Sequence, residues 1–363
     1  MLLYIAYFVV LAALAVVWDY QPFPRLPALL LVILMLGFMA GLRGPFVARD
    51  YADYQHSFDA IYGYYSEIRG GRIFTFFEPG YVLLVTALRA LAPLNYGAVC
   101  MLFFAFGSII LKTHAANRLS LNPFLAMLFY YSHYFFLHEM TQVRIGFASA
   151  IIFIGFIYYL RGEWLKYVGF VLLATLFHYS AILYLGIFVF NSKKLYKPIY
   201  ISFLLLAVVM GFVKTNLFEV LNQVNPELVT GKLRGYEYVA KTAFRQQINT
   251  FNVVYLMNVA VILYMLLISP RKVLEQDRNL LLFIKLNILS LFLLSALNGV
   301  PAIAFRISEL FGVTSMLLFA GVVYYLPFKK GNVWIMVLIA GLFTYINLFH
   351  NDLIGPYTMV RFK

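Results

Sequence analysis

The sequence has one cysteine, Cys100, and it lies inside an apolar run. A disulfide framework and a cysteine-based metal site are thereby excluded. Charge is scarce as well: 12% of the 363 residues are Asp, Glu, Lys or Arg, with 15 carboxylates against 28 Lys and Arg. A soluble domain carries about 25% charged residues, so much of this chain has no means of facing water. The formal surplus of +13 does not make a nucleic-acid surface, because the basic residues are scattered over short loops. Missing too are a Gly-rich phosphate loop ending in Lys and Ser or Thr, a G-x-S-x-G elbow and a dinucleotide fingerprint. His138-Glu139-Met140-Thr141-Gln142 begins like a zincin helix, but Gln142 stands where the second His is needed. We therefore expect no metal, no cofactor and no nucleotide-driven chemistry.

What is present in excess is apolar: 63% hydrophobic residues, 18% aromatics and a mean hydropathy of +0.84. A bilayer crossing needs about 20 apolar residues and tolerates about 17. Runs of that order occur at about 2–18, 26–42, 96–111, 123–137, 145–160, 198–213, 251–268, 280–297, 303–326 and 333–349. Shorter runs lie at 79–92 and at 165–190, the latter interrupted near His178. Only helices satisfy their own backbone groups in lipid, so the expected fold is all-α: a polytopic transmembrane bundle of roughly eleven to thirteen helices. No repeat, low-complexity linker or soluble segment divides it, and residues 1–363 read as one integral-membrane domain. The first run lacks a basic leader and a small-residue cleavage site and reads as a retained helix.

Lys and Arg in short loops set orientation. Arg161 with Lys166, Lys193 with Lys194 and Lys197, Arg271 with Lys272 and Arg278, and Lys329 with Lys330 read as cytoplasmic if 165–190 crosses twice. His138 to Arg144, 214–250 and 298–306 then face outward. Counting 79–92 and 96–111 as two full spans would put the Arg49-Asp50 loop inside, away from those sites. The run 79–92 is short, carries Arg89 and opens Glu78-Pro79-Gly80, so we read it as a re-entrant or surface helix that restores parity. Two larger outward loops result, about 43–78 and 214–250. In the first, Phe58, Ile61, Tyr62, Tyr65 and Ile68 recur at helical spacing, the pattern of a helix lying on the membrane surface. The second interleaves Lys232, Arg234, Tyr236, Tyr238, Lys241 and Arg245 with apolar residues, and an anionic substrate is one reason to keep such residues outside.

Ionisable residues at membrane depth cost about 2.5–3.5 kcal/mol each on insertion scales, which makes them functional candidates. Five groups qualify, each with a plainer alternative. Arg43, Arg49, Asp50 and Asp53 could be a solvated loop with internal ion pairs. Glu78 before Pro79 could be a carboxylate favoured by a helix N-terminus. His138, Glu139, Gln142 and Arg144 could be a helix end with Arg144 reaching to the interface. His178, in His178-Tyr179-Ser180, could be a core histidine bonded to a carbonyl. Arg306 and Glu309 could be a local i, i+3 pair. Read for chemistry instead, arginine forks suit a diphosphate leaving group, a carboxylate or His can take a proton from an attacking hydroxyl, and aromatics can stack on sugars.

Several stretches carry a family likeness. Gly41-Leu42-Arg43 followed by Val47-Ala48-Arg49-Asp50-Tyr51-Ala52-Asp53-Tyr54 resembles the "G-x-R … G-x-D-x-x-x-Y" segment of EpsG-like and related Wzy-type exopolysaccharide and O-antigen polymerases. Glu78-Pro79-Gly80-Tyr81, Gln142-Val143-Arg144-Ile145-Gly146-Phe147-Ala148, Leu176-Phe177-His178-Tyr179-Ser180-Ala181 and Phe305-Arg306-Ile307-Ser308 resemble later segments of that family in the same order, from about residue 40 to 310. Ala48 replaces a frequent Gly, and Ile145 a frequent Gln. The resemblance implies a bacterial inner-membrane, multi-pass polymerase that joins undecaprenyl-diphosphate-linked oligosaccharide repeat units on the outer face, with a fold related to the GT-C glycosyltransferases. The pathway implies a flippase and a chain-length regulator as partners, alongside membrane lipids.

On that reading the candidate catalytic residues are Asp50 or Glu78 as general base, His138 and His178 as reserves, and Arg144 and Arg306 for leaving-group charge. Arg43 joins those arginines in holding the diphosphates. Arg49, Tyr51, Asp53, Tyr54, Gln142, Arg245 and Glu309 complete the expected substrate contacts. A GT-C-type monoglycosyltransferase using a polyprenyl-phosphate donor shares this outer-face logic. A flippase or transporter of lipid-linked glycans predicts matched broken helices, which the sequence lacks. A membrane acyltransferase fits less well still, since His178 has no persuasive partner motif.

Overall fold

The structure is a computed structural model that describes residues 1–63, 77–190, 193–213 and 249–360. Arg245, with the basic and aromatic stretch around it, lies outside the described residues, as do Tyr65, Ile68 and the side chain of Tyr62. Five helices among the described residues are long and apolar enough to cross a membrane, six if the bent pair Ile303–Gly312 and Ser315–Tyr325 counts as one span. Six more apolar helices run 10–17 residues. The chain is a multi-pass, all-α membrane protein. Two isolated β-bridges are the only β pairing among the described residues.

Contacts group the chain into two compact units, Met1–Val189 with Phe319–Lys363, and Phe190–Leu318. The first contains α1 (Leu2–Tyr20), α2 (Arg25–Gly41), α3 (Tyr51–Gly63), α4 (Pro79–Leu91), α5 (Tyr96–Leu119) and α6 (Pro123–Phe129). It continues through a π-helical segment, Tyr130–Glu139, α7 (Val143–Arg161), α8 (Trp164–Thr175) and a 3-10 helix, Tyr179–Val189. The second holds α9 (Lys197–Val213), α10 (Val253–Leu267), α11 (Arg271–Gln276), α12 (Arg278–Ala296) and α13 (Pro301–Gly312). The chain then passes through α14 (Ser315–Val322) back to α15 (Asn332–Tyr345) in the first unit. Helix starts follow local chemistry: Asn122, Asn252 and Asp277 accept from the backbone N–H three residues on, and Pro123 takes the first turn of α6.

In the first unit α5 packs between α2 and α7, and α7 against α8. α7 is the central helix there, with 78% of its apolar window buried against 22% for α1. Apolar runs therefore divide into those that meet protein and those that meet lipid, a division composition alone does not make. α4 is 13 residues long, about 20 Å at 1.5 Å per residue, against a hydrocarbon core of about 30 Å. Its shortness agrees with the expectation of a helix that does not cross fully. The expected helical spacing falls in part on α3, where Phe58 and Ile61 are buried within the protein.

One feature of this core was not visible in the apolar runs. The run ending at residue 111 continues as helix to Leu119, which carries Lys112 inside the bundle. Its three ammonium N–H groups are shared among four acceptors, Glu139 Oε1 at 2.8 Å, the Tyr130 hydroxyl at 2.8 Å, Ser108 Oγ at 2.9 Å and the Gly146 carbonyl at 2.9 Å. Both side chains of the pair are 0% exposed. Ser108 at 2.6 Å and Tyr130 also donate to the same Glu139 oxygen. The network ties α5, the π-helical segment and the start of α7 into one piece. Gly146 permits it: a Cβ there would stand 2.7 Å from the His138 carbonyl oxygen.

Breaking a buried pair from one side leaves an uncompensated charge, whereas replacing both partners by apolar groups does not. Lys112→Met or Glu139→Leu alone is expected to destabilise the protein by about 3–5 kcal/mol, and the double substitution to cost less than either single one. Thermal unfolding of the three variants in detergent checks this.

Candidate functional site

A cluster with both charge and access is centred on Glu78. This residue stands at the N-cap position of α4, with Pro79 following, yet its side chain makes no cap bond. It turns instead to two other elements. Arg144, in the first turn of α7, donates from Nη1 to Glu78 Oε2 at 2.7 Å. His178, just before the 3-10 helix, has Nδ1 3.4 Å from Oε1, at ion-pair distance though not aligned as a hydrogen bond. On the other side of the ring, Nε2 is 2.8 Å from Ser180 Oγ. The four side chains form a continuous line, Arg144 to Glu78 to His178 to Ser180.

Several contacts hold this line in place. The Gly80 N–H donates to the Leu176 carbonyl at 2.8 Å, and the Tyr81 N–H to the same oxygen at 3.3 Å, so the turn carrying His178 is pinned to the start of α4. Only a glycine fits there, because a Cβ on Gly80 would sit 2.8 Å from that oxygen. The Arg144 guanidinium lies 5.3 Å from the centre of the Tyr81 ring, a cation–π contact. The Tyr54 hydroxyl accepts from the Arg144 backbone N–H at 3.4 Å, and Ser57 joins the Tyr81 hydroxyl at 2.7 Å, which brings α3 against the cluster.

Exposure separates the roles. Glu78 is 6% exposed, His178 16% and Arg144 30%, so the carboxylate is held inside while the guanidinium reaches outward. Burial alone would push the Glu78 carboxyl up. The His178 ring and the Arg144 guanidinium outweigh it and hold the group below the ordinary carboxylate range. Burial raises the Tyr54 hydroxyl, with Arg144 opposing.

Other candidates from the sequence take different places. Arg43 is buried; its guanidinium donates to the Ala40 carbonyl and, at 3.5 Å, to Met101 Sδ, and it lies 6.0 Å from the Tyr51 ring centre. Among the described residues it meets no carboxylate, and burial pushes it down to about 10. Asp50 precedes α3 and is near enough to Tyr54 to act on its hydroxyl electrostatically. Asp53 is exposed on the first turn of α3, and Arg49 is exposed with Nη2 3.5 Å from the Asp352 carbonyl. Gln142 is the N-cap residue of α7 and is half-buried. His138 is fully buried in the π-helical segment, and neither ring nitrogen has a hydrogen-bond partner among the described residues. Arg306, exposed, and Glu309, buried, lie on α13 in the second unit.

Two participants carry no signal of their own in the sequence: Ser180, inside the motif around His178, and the chain beyond residue 350. That C-terminal segment lies along the Arg43 loop: Gly44 N–H to Thr358 O is 2.7 Å, Val360 N–H to Leu42 O 2.9 Å and Gly355 N–H to Val47 O 2.8 Å. Tyr4 on α1 ties it down through Gly355 O at 3.1 Å. No local signal announces such pairing, because its bonds are backbone to backbone between residues more than 300 apart.

The match of the sequence to a family model, the EpsG family, extends over residues 28–359, nearly the whole chain. The chain belongs to the EpsG family. This is a Wzy-type polysaccharide-polymerase-like family, so polysaccharide biosynthesis is the general setting of the Glu78 cluster. A comparison with curated proteins returns no match, and neither does one with solved structures. The EpsG match runs from within α2 to the C-terminal segment on the Arg43 loop, so it contains every residue of the cluster.

The lowered Glu78 sets a sign for pH dependence. Its bridge contributes stability fully above the ordinary carboxylate value, about 4.3, and loses that contribution as pH falls through the lowered folded-state value. Melting temperatures followed downward from pH 7 should show an acid limb that Glu78→Gln flattens. An acid limb unchanged by that substitution contradicts the assignment.

Proposed function

We propose that the protein is a glycosyltransferase-type polymerase that joins undecaprenyl-diphosphate-linked oligosaccharide repeat units on the outer face of a bacterial inner membrane. The observation that carries this reading is the Glu78 carboxylate shared between Arg144 at 2.7 Å and His178 at 3.4 Å, in a multi-pass chain of the EpsG family. An acceptor sugar hydroxyl on one unit attacks the anomeric carbon of the chain carried on another. The bond from that carbon to the diphosphate breaks, and the lipid diphosphate departs with the electron pair.

His178 is the base on which the charge of the proton given up by the acceptor comes to rest. Glu78, although a carboxylate, suits this role less: it is already bonded to Arg144 and held in its ionised form, which weakens it as a base. Its work is to hold the ring and stabilise the imidazolium. Arg144, the most exposed of the three, meets the charge that develops on the leaving diphosphate. Tyr54 and Asp50, beside Arg144 and at the start of α3, serve the glycan, and Arg43 shapes the loop that presents them. Arg306 keeps the leaving-group role that the sequence resemblance implies, and Glu309 beside it and Arg245 in the basic, aromatic loop 214–250 keep their expected substrate contacts on the sequence alone. The pathway this reaction belongs to supplies a flippase and a chain-length regulator as partners. The monoglycosyltransferase alternative differs in product: one added sugar rather than a ladder.

Purified protein incubated with a lipid-linked oligosaccharide should give a ladder of products on a gel. His178→Gln is expected to slow chain growth about 10²–10⁴-fold, the usual worth of a general base, and Arg144→Gln about 10²–10³-fold. A single-sugar product, or full-length ladders from both variants, would overturn the reading.

A further inference from the structure

Ser180 is the last member of the line that starts at Arg144, and neither the Glu78 bridge nor the base assignment uses it. Its hydroxyl has one polar contact among the described residues, His178 Nε2 at 2.8 Å. It sits within an apolar stretch, half-buried, on the first turn of the 3-10 helix Tyr179–Val189. An alanine would fill that position at less desolvation cost, so the hydroxyl is explained by the ring it meets. The turn that carries both residues is fixed from outside by the Gly80 and Tyr81 N–H groups on the Leu176 carbonyl. The hydroxyl and the ring are thus pre-organised rather than brought together by chance rotamers.

His178 presents two ring nitrogens: Nδ1 faces Glu78 and Nε2 is covered by Ser180 Oγ. The serine hydroxyl that lies against Nε2 is thus a group through which a proton can reach that nitrogen. We propose that Ser180 is a catalytic proton relay, its hydroxyl taking the proton of the acceptor sugar's hydroxyl while handing its own to His178 Nε2. This rests on the polymerase reading above. The acceptor oxygen forms its bond to the anomeric carbon, and the bond from that carbon to the diphosphate breaks with its electron pair going to the departing group. The acceptor's proton ends on Ser180, the serine's former proton ends on His178, and the imidazolium is balanced by Glu78. Bulk water recovers one proton per linkage formed. No oxidant, reductant or further reactant is required.

The ring must turn slightly for the relay to run, since Nδ1 and Glu78 Oε1 are 3.4 Å apart and not aligned. Catalytic hydrogen bonds of this kind tighten when substrate is bound.

The test compares wild type, Ser180→Ala, Ser180→Thr and His178→Gln, purified as full chains of matched thermal stability, with a lipid-linked oligosaccharide as substrate. Single-turnover rates are measured in H₂O, D₂O and their mixtures. Ser180→Ala is expected to slow the step about 10–100-fold with acceptor KM unchanged, and Ser180→Thr, which keeps the hydroxyl, to recover most of the loss. Two protons in flight give the wild type a curved dependence of rate on deuterium fraction, and one gives Ser180→Ala a straight line. A Ser180→Ala rate equal to wild type, equal losses in Ser180→Ala and Ser180→Thr, or a straight line in the wild type overturns the relay. Where one of those results comes with a His178→Gln variant slowed as expected of the base, the relay alone has failed and the polymerase reading stands. A wild type that forms no ladder overturns the polymerase reading and the relay with it.

Discussion

A single carboxylate, Glu78, is shared by a guanidinium from α7 and an imidazole from the turn after α8, and it sits at the start of α4. Three segments far apart in sequence therefore meet at one buried negative charge. Desolvating that charge is costly, and the hydrogen bond from Arg144 and the ion-pair contact with His178 offset the cost only while both partners stay in register. The neighbouring structure serves that register. Gly80 lets the His178 turn lie against α4 at backbone contact, Tyr81 lies under the guanidinium, and Tyr54 reaches the Arg144 backbone from α3.

The protein holds a second charge pair of comparable geometry, and the contrast is instructive. Lys112 and Glu139 are sealed, both wholly without exposure, and the lysine's donors go to partners within the bundle. Such a pair can fix the relation of helices but cannot receive a substrate. Glu78 and Arg144 have a similar N···O distance, yet Arg144 is 30% exposed. The difference in access, not in bond length, separates the structural pair from the candidate reaction centre. Because Lys112 also bonds the Gly146 carbonyl, two residues on from Arg144, the sealed pair fixes the first turn of the helix that presents the open one.

How much of this could be read from the chain follows from the physics of each signal. Apolar run length and periodicity are local, so the membrane bundle, the shortness of 79–92 and the helix at the start of loop 43–78 were legible. Glu78, Arg144 and His178 were each legible as polar residues in apolar surroundings, and as parts of ordered motifs. Their meeting was not, because nothing in the sequence gives the distance between a residue at 78 and one at 178. Lys112 was hidden by its context: His114, Asn117 and Arg118 follow it and give the stretch the look of a loop, whereas helix continues to Leu119. The C-terminal segment on the Arg43 loop left no trace either, since backbone pairing is indifferent to side-chain identity. Asp50, expected to lead the site, stands beside Tyr54 at its edge, and the carboxylate with both a guanidinium and an imidazole is Glu78.

In the proposed reaction Glu78, which holds His178, and Arg144, which meets the leaving group, depend on each other through their shared bond, so that removing either displaces the other. A double-mutant cycle on the rate of lipid-linked oligosaccharide polymerisation, using Glu78→Gln, Arg144→Gln and the pair, measures that directly. The account predicts strong non-additivity, with the double variant no slower than the slower single variant. Losses that simply multiply would contradict it.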